Sequence, residues 1–570
     1  MSIQFLLDNF EQLFDSEEKI KNFDKIILQL AVSGRLNTQH PEDEPATTLL
    51  NRITAEKQAL IKAGTLKPQK PLPPVTEAEQ PFTLPDNWLW VRLGEVSFIN
   101  PKNTCDDSVE FSFIPMNLVS KKFNEHPSFE KRLWKDIKKG FTHFANNDVV
   151  LAKITPCFEN GKSGIMKDLL NGFGAGTTEL YVFRGVAGLV LPELVYIHFK
   201  TSLFLKNGET NMTGSAGQKR VPRSFVENYS LPLPPLAEQQ RIVAKVEELL
   251  SKSAEIKEYF SEKNKMRVKL NQSLLHHLQE SKNHEEFKKN FDLITSHFNG
   301  LYDNQENMKA LRQTILQLAV SGRLNTQHPE DEPATTLLNR ITAEKQALIK
   351  AGKLKPQKPL PPVAEAEQPF TLPDSWLWVR LQDVGKLSRG KSKHRPRNAP
   401  ELFDGEYPFI QTGDIAKSTL YVQHHSQTYN EAGLAQSKLF PKNTLCITIA
   451  ANIGESAILK YPACFPDSIV GFIPYNQLSE VLFAYYFINI MKTDLEKYAP
   501  ATAQKNINLN ILDKLAFPLP PLAEQQRIVA KVEELMALCD ALEAQLAQQQ
   551  AHATALLNSL VHELVGVGSL

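Results

Sequence analysis

The chain has 570 residues, and its 64 basic and 64 acidic side chains give a formal net charge of zero. This length predicts several domains, and a composition of 42% hydrophobic and 22% charged residues excludes an intrinsically disordered chain. Zero net charge removes the simplest argument for a nucleic-acid-binding protein, which is a strongly basic chain.

The five cysteines are widely spaced and form no CxxC pair, which argues against a disulfide framework and a zinc knuckle. The first residues lack the basic region that opens a signal peptide, and no run of about 18 apolar residues is present to span a bilayer. We therefore expect a reducing, intracellular setting and a cytoplasmic protein.

Residues 1–84 are assigned to an N-terminal helical region. The stretch EEKIKNFDKIILQLAVSGRL has helical apolar periodicity and reaches a terminating glycine at Gly34. A second helix, ATTLLNRITAEKQALIKAG, is expected to close at Gly64. The following KPQKPLPP predicts an extended polyproline linker, with an SH3 ligand as the alternative.

Residues 85–231 have a different pattern, and residues 373–517 resemble them in kind. The first segment contains the strand-like runs DVVLAKIT and ELYVFRG and the helical stretch LPELVYIHFKTSLF. The second contains TLCITIAA, SIVGFIPY and the helical stretch LSEVLFAYYFINIMKTDLEKY. Both segments are predicted to be α+β globules.

A long helix is predicted after each globule, one opening the central region 232–372 and one filling the C-terminal region 518–570. From Leu236 to about Gln279 apolar residues recur at steps of four and three, a heptad pattern that predicts a rod of roughly 65 Å. We call the apolar stripe of each long helix its seam. The residues expected to pack along the two seams are Ile242, Val246, Leu249, Ile256, Phe260, Leu270, Leu274, Ile528, Val532, Leu535, Leu542, Leu546, Leu556 and Leu560.

Two blocks of the chain occur twice. Residues Ile27–Leu93 recur as Ile315–Leu381 with three differences in 67 positions, and PLPPLAEQQRIVAKVEEL occurs unchanged at 232–249 and 518–535. The inserts between the blocks, of 138 and 136 residues, match in length but scarcely in sequence. A repeated helical frame is therefore expected to hold two different binding modules.

Residues Gly385–Ser392 match the phosphate-binding pattern GxxxxGK[ST]. That chemistry needs a helix starting at the Lys-Ser pair, so that backbone amides and the helix dipole face the phosphate. The sequence continues instead as KHRPRNAP, whose prolines cannot form this helix. A basic surface loop is the preferred interpretation, and a nucleotide hydrolase is kept as one alternative.

Other catalytic and metal-binding patterns, such as HExxH, are also absent from the sequence, so binding is the expected activity. The inserts carry net charges of +3 and +2, and the frame carries −5. Arginine and lysine suit phosphate and guanine, while glutamine and asparagine suit adenine. The residues proposed to contact DNA are Lys162, Gln218, Lys219, Arg220, Arg223, Arg389, Lys391, Lys393, Arg395, Gln504, Lys505, Asn506 and Asn508.

The whole chain resembles the DNA-specificity (S) subunits of type I restriction–modification systems. The resemblance rests on the two PLPPLAEQQRIVAKVEEL blocks and on LPDNWLWVRL and LPDSWLWVRL at the start of the inserts. AKITPCFENGK and GTTELYVFR in the first insert, and YPFIQTGDI in the second, are similar to stretches of target-recognition domains.

The resemblance implies an α+β fold with an internal pseudo-twofold repeat. Two globular target-recognition domains, 85–231 and 373–517, would be separated by long antiparallel coiled-coil helices. Each domain would read half of a bipartite, asymmetric DNA site, and the helices would set the spacer and dock two modification subunits.

The resemblance also implies a chain without catalytic residues, metal or cofactor of its own. S-adenosylmethionine for adenine methylation would bind to the modification subunits, and restriction subunits would use ATP and Mg to translocate and cleave. A coiled-coil scaffold whose inserts bind proteins is the second alternative.

Overall fold

The structure is a computed structural model that describes residues 17–37, 39–64, 68, 70–123, 125, 127–186, 188–215, 217–394, 396–450, 452–475, 480–497 and 507–565. The chain divides into two compact units. Unit 1 comprises Met1–Asn264 with Gln549–Leu570, and unit 2 comprises Lys265–Gln548.

The first two helices of unit 1 among the described residues are α1 (Glu17–Val32) and α2 (Ala46–Lys62). Helix α2 buries Ala46, Leu49 and Ile53, which lie on one face because they are three and four residues apart. Gly34 and Gly64 follow the two helices with φ of +72° and +70°. Glycine is favoured in this left-handed conformation after a helix, so both predicted helix ends are confirmed.

In unit 1, the described residues of the first insert and its flanks form two four-stranded sheets and a two-stranded ribbon. Strands β1 and β10 pair antiparallel, and the sheets have the orders β2-β9-β6-β7 and β4-β3-β8-β5. The strands are β1 (Leu89–Arg92), β2 (Ser97–Ile99), β3 (Glu110–Ile114), β4 (Glu130–Leu133), β5 (Thr142–Ala145), β6 (Val149–Ala152), β7 (Ser163–Ile165), β8 (Phe173–Gly176), β9 (Leu180–Gly185) and β10 (Ser230–Leu233).

The helices of the first insert are short. They are α3 (Leu93–Val96), α4 (Trp134–Ile137), α5 (Pro192–Lys200), α6 (Ser202–Thr210) and α7 (Arg223–Asn228). The sequence predicts one helix over LPELVYIHFKTSLF, but the structure divides this stretch at Thr201. Thr201 caps α6, since its hydroxyl accepts a hydrogen bond from the Phe204 amide at 3.3 Å.

The central region is helical. After α8 (Leu236–Gln279) come α9 (His284–Ser296), α10 (Phe298–Leu301), α11 (Gln305–Val320) and α12 (Ala334–Lys350). Helices α11 and α12 correspond in sequence to α1 and α2. Gly322 and Gly352 follow them with φ of +72° and +69°, so the second copy ends its helices in the same way.

The second insert lies in unit 2 and also combines strands with short helices. Its strands are β11 (Leu377–Arg380), β12 (Gly385–Arg389), β13 (Phe403–Phe409), β14 (Tyr421–Val422), β15 (Gln427–Tyr429), β16 (Leu439–Phe440), β17 (Leu445–Thr448), β18 (Ser456–Leu459), β19 (Ala463–Cys464), β20 (Ile469–Pro474) and β21 (Ala516–Leu519). Its helices are α13 (Leu381–Val384), α14 (Thr412–Ala416), α15 (Glu431–Gln436), α16 (Val481–Lys497) and α17 (Leu509–Lys514). The last helix of the chain is α18 (Leu522–Val565).

Apart from strand β14, which only the second has among the described residues, the two inserts share one topology although their sequences differ. The second insert pairs β11 with β21 and has the sheet orders β12-β20-β17-β18-β14 and β15-β13-β19-β16. Corresponding four-stranded sheets each contain a parallel pairing, β3 with β8 in the first insert and β13 with β19 in the second, and β14 adds a parallel pairing with β18. The described structure therefore confirms that both inserts are α+β globules, and it adds that they are built alike.

The seam of α8 packs against the shorter frame helices. In unit 1, Ile242, Val246 and Leu249 are buried in one cluster with residues of α1, and Ile256 and Phe260 are partly buried against it. In unit 2, Leu274 is buried in the cluster that includes residues of α11. The heptad pattern therefore predicted buried residues correctly near both ends of α8.

The seam of α18 is buried mainly in its first half. Ile528 and Val532 are buried, and Leu535, Leu542 and Leu546 are partly buried. The side chain of Leu560 lies outside the described residues.

Two seam predictions are wrong for the described structure, because Leu270 and Leu556 are 49% and 54% exposed. Polar residues interrupt the apolar pattern just before each of them, and in α8 the interrupting Arg267 pairs with Asp303 instead of packing. Burial in α8 resumes at Asn271 and Leu274.

Candidate nucleic-acid interface

Three of the cations proposed in the first insert are held by the fold itself. Arg220 forms a bidentate pair with Glu179, at 2.9 Å from Nη2 to Oε1 and 3.0 Å from Nε to Oε2. Hydrogen bonds from Arg220 lower the pKa of the Glu179 carboxyl. Arg223 pairs with Glu227 at 2.7 Å, one helical turn away, and Lys162 Nζ donates to the Met116 carbonyl at 3.0 Å.

Gln218 and Lys219 have exposed side chains on an anchored loop. The Lys219 carbonyl accepts hydrogen bonds from the Thr155 amide at 3.0 Å and the Thr155 hydroxyl at 3.1 Å. Thr213 and Arg220 form a β-bridge across the same loop. The fold therefore presents the amide of Gln218 and the ammonium of Lys219 to solvent from a fixed backbone, as a DNA contact requires.

A basic surface surrounds β4 and α4 in the first insert. Arg132 lies over the Phe113 ring at 3.8 Å and pairs with Glu130 at 2.7 Å, and Lys138 pairs with Asp107. The remaining three lysines of this run have exposed side chains, for which the described residues supply no ion pair. They are Lys131, Lys135 and Lys139.

The phosphate-loop pattern of the second insert is not built as a phosphate-binding loop. Residues Gly385–Arg389 form strand β12, and the first helical turn among the described residues after it is the 3-10 turn Pro400–Leu402. A Cβ added at Gly390 would collide with the carbonyls of Phe465 and Pro466. Close backbone packing therefore explains this glycine. The basic loop predicted over Gly385–Ser392 is correct only after Arg389, because Gly385–Arg389 form a strand with buried positions.

Asp467 holds two arginines of this basic loop. Arg389 Nε donates to the Asp467 carbonyl, and Arg397 pairs with the Asp467 carboxylate at 2.9 Å. Lys391 is half-buried and Lys393 is exposed, and the Lys393 amide donates to Gln436 Oε1 at 2.6 Å.

Arg395, Gln504, Lys505 and Asn506 lie outside the described residues. Asn508 caps α17, because its Oδ1 accepts a hydrogen bond from the Ile511 amide at 3.2 Å. The DNA-contact roles of all these residues remain predictions.

Sequence reasoning missed a group of neutral polar residues at the end of β13. Gln411 Nε2 donates to Gln427 Oε1 at 2.6 Å, although 16 residues separate them in the sequence. A search for clustered charge does not select uncharged side chains. The available signal was Gln411 itself, a polar residue directly after the strand-like YPFI of the YPFIQTGDI stretch.

The part of the chain that the structure describes has neither a cluster of metal ligands nor a membrane-spanning helix. No group of three histidine, cysteine, aspartate or glutamate residues there could hold a metal ion. None of the helices in that part is both long and apolar enough to cross a membrane.

The family model described as type I restriction modification DNA specificity domain matches residues 85–264 and 373–549. The chain belongs to this family. Each match begins at a residue predicted to open a target-recognition domain and continues into the long helix that follows. The two matched copies thus correspond to the two inserts with shared topology.

Two curated relatives are specificity subunits from Escherichia coli. The type I restriction enzyme EcoAI specificity subunit is 40% identical over 546 residues, covering 92% of this chain and 90% of the relative. The EcoEI specificity subunit is 38% identical over 554 residues, covering 93% and 91%.

A solved structure from work on complex assembly and conformational transition of the type I R-M system has a TM-score of 0.52 with this chain. It covers 86% of this chain and 100% of its own, at 21% identity, so the similarity concerns the fold alone. The chain is thus similar to type I specificity subunits along nearly its whole length.

Proposed function

We propose that this specificity subunit directs a type I restriction–modification complex to a bipartite, asymmetric DNA site, each target-recognition domain reading one half. The observation that carries the proposal is the pair of inserts with one topology and unlike sequences on a nearly identical frame. A shared scaffold places both domains alike against DNA, and different surface residues then select different bases.

The long helices are proposed to act as the spacer between the two half-sites. Helices α8 and α18 contain 44 residues each, which corresponds to roughly 66 Å at 1.5 Å per residue. In this proposal they pack as an antiparallel coiled coil and dock two modification subunits. A repeated frame of this kind imitates a symmetric dimer, which spaces half-sites naturally.

The chemistry is proposed to take place on the partner subunits. Modification subunits would bind S-adenosylmethionine and methylate adenine, and restriction subunits would use ATP and Mg to cleave. The specificity chain would contribute DNA recognition and assembly without catalytic groups. Residues Gly385–Ser392 support this proposal. Gly385–Arg389 form a strand and Gly390 is packed against backbone carbonyls, and neither feature fits a nucleotide site.

Exchanging one insert tests the proposal. Replacing Gly94–Leu231 with the corresponding insert of another specificity subunit should change one half of the methylated site and leave the other intact. The exchange leaves every strand of the second domain, from β11 to β21, unchanged. The half-site that this domain reads should therefore stay the same. The measurement is a genome-wide adenine-methylation map of cells that express the chain with its modification subunits.

The reciprocal exchange of Gln382–Phe517 is the matched control, and it should change only the other half. A map in which either exchange altered both halves would contradict the assignment of one domain to one half-site. A wild-type chain that bound no DNA even with its modification subunits would favour the protein-binding scaffold.

A further inference from the structure

Polar side chains from three segments of the second target-recognition domain meet on its surface. Gln411 follows β13, Gln427 begins β15, and Tyr461 lies in the turn between β18 and β19. Gln427 and His425 are exposed, and Gln411 is half-buried. We call Gln411 and Gln427 the amide pair.

A neighbouring carboxylate fixes the backbone beside the amide pair. Asp414 Oδ2 accepts hydrogen bonds from the backbone N–H of Gln411 at 2.8 Å and from the Ser426 hydroxyl at 3.2 Å. It therefore ties the loop after β13 to the segment before β15. On the same segment, His425 Nδ1 lies 3.0 Å from the Tyr461 hydroxyl. The segments that carry the two glutamines are thus tied together, and the bond between the two side chains restricts them, so less side-chain entropy is lost when they bind a ligand.

The amide pair retains unused hydrogen-bonding capacity. Gln411 donates one amide hydrogen to Gln427, which leaves the Gln411 carbonyl oxygen and the Gln427 NH2 group for a ligand. A donor and an acceptor side by side match the major-groove edge of adenine, where N6–H donates and N7 accepts. Lys417 is on the segment that follows Gln411, and Lys460 directly precedes Tyr461. Both side chains are exposed and can bind phosphates.

The same positions of the fold carry different chemistry in the first domain. Gln427 lies opposite Phe409 in the β13–β15 pairing, and Glu130 lies opposite Phe113 in the β3–β4 pairing. Gln411 and Pro115 each come two residues after that phenylalanine. One domain therefore has two amides where the other has a proline and a carboxylate, as expected for positions that distinguish half-sites.

We infer that Gln411 and Gln427 are specificity-determining residues that hydrogen-bond an A·T base pair in the half-site of the second domain. The inference rests on the proposed function and names the residues that carry part of it. The shared strand register supports it independently of the charge pattern.

Methylation mapping tests the inference with the full chain and its modification subunits. In the double variant Gln411→Ala/Gln427→Ala, selectivity for one A·T base pair of one half-site over other base pairs should fall about 10- to 100-fold. This is the effect expected when a bidentate base contact is lost. The other half-site should stay unchanged. The matched control is Gln346→Ala, which removes an exposed glutamine on α12, outside both target-recognition domains, and should leave the map as in the wild type.

The outcomes separate the inference from the proposed function. A bipartite wild-type map with an unchanged double-variant map overturns the inference alone. A wild-type map without a bipartite site overturns the proposed function and the inference with it. If thermal melting shows that the double variant does not fold, Gln427→Asn replaces it, because this change keeps an amide on the exposed side chain and only shortens it. An unchanged map for Gln427→Asn then overturns the inference.

Discussion

His198 lies in α5 among apolar side chains of unit 1. It is 2% exposed, and its Nε2 atom has no hydrogen-bond partner among the described residues. Burial lowers its pKa to about 3, because the charged imidazolium is poorly solvated there. The folded chain therefore keeps this side chain neutral at pH values where an unfolded chain would protonate it.

His198 should make unit 1 less stable in mild acid. Between about pH 6.5 and pH 3 the unfolded state binds the additional proton, so stability should fall as pH falls, by up to about 1.4 kcal/mol per pH unit. In His198→Leu this loss should disappear, which at pH 5 corresponds to a gain of about 2 kcal/mol relative to wild type. Denaturant unfolding at pH 5 and pH 7.5 measures the difference.

The exposed His276 provides the control for this prediction, because His276→Leu replaces a solvent-exposed histidine and should not restore stability at pH 5. An equal pH dependence in His198→Leu and wild type would show that the buried imidazole does not control acid stability.

Individual ion pairs show which residue-level features a sequence can predict. The pair Arg223–Glu227 has helical i,i+4 spacing, so its formation could have been anticipated. The pair Arg220–Glu179 spans 41 residues and depends on how the β9 region meets the loop before α7. Counting charges therefore named Arg220 as a DNA contact, whereas the folded chain pairs it with an internal carboxylate.

At the scale of elements, each target-recognition domain is joined to its long helix by a buried hydrogen bond. Glu238, in the first turn of α8, accepts from Trp88 Nε1 at 2.8 Å and from Gln39 Nε2 at 2.8 Å. Trp376 Nε1 makes the same contact with Glu524 of α18 at 2.8 Å. Burial raises the pKa of Glu238, and the two donors oppose that shift.

Removing the indole donor should destabilise the corresponding unit. In Trp88→Phe, Glu238 loses a hydrogen bond to a buried charged group, which should lower the unfolding free energy of unit 1 by about 1.5–3 kcal/mol. Trp376→Phe should do the same in unit 2. Denaturant unfolding of each variant, followed by tryptophan fluorescence and circular dichroism, measures the loss.

Trp90 is a matched control, since its buried Nε1 has no hydrogen-bond partner among the described residues. Trp90→Phe removes a similar volume without breaking a hydrogen bond, so it should cost less than Trp88→Phe. If both variants lose the same unfolding free energy, packing of the indole ring, and not its hydrogen bond to Glu238, joins the first target-recognition domain to α8.

Local elements could be predicted far better than their arrangement. The runs DVVLAKIT and SIVGFIPY contain β6 and β20, because buried strands are short, apolar and rich in β-branched residues. The order β2-β9-β6-β7 was not predictable, since it depends on pairings such as Ser97 with Gly185 that are distant in the chain. Leu270 was wrongly predicted to be buried for the same reason, because the burial of a helix residue depends on which distant parts of the chain pack against it.

For the whole molecule, the formal charge of zero is a sum of unlike parts. The two inserts carry +3 and +2 and the frame carries −5, so the recognition domains are basic although the chain is neutral. Their excess is small, and several of their cations are paired internally, as Arg220 is with Glu179. Because phosphate contacts supply most non-specific affinity, we expect stable DNA binding only together with the modification subunits.

The length of the helical frame should set the distance between the half-sites. Deleting the heptad Lys257–Lys263 from α8 keeps the phase of the apolar pattern and shortens the helix by roughly 10 Å, at 1.5 Å per residue. At about 3.4 Å per base pair, the unread spacer of the methylated site should lose about three base pairs. If the shorter frame cannot assemble with the modification subunits, methylation should instead be lost.

An adenine-methylation map measures this change, and size-exclusion chromatography with the modification subunits detects loss of assembly. Replacing the same seven residues by a different heptad that retains Phe260 keeps the length and should keep the spacer. A deletion variant that assembles and methylates the wild-type site with its original spacing would show that another part of the chain sets the distance. Spacer length would then depend on how the target-recognition domains are attached, for example through the Trp88–Glu238 contact, and not on the helix.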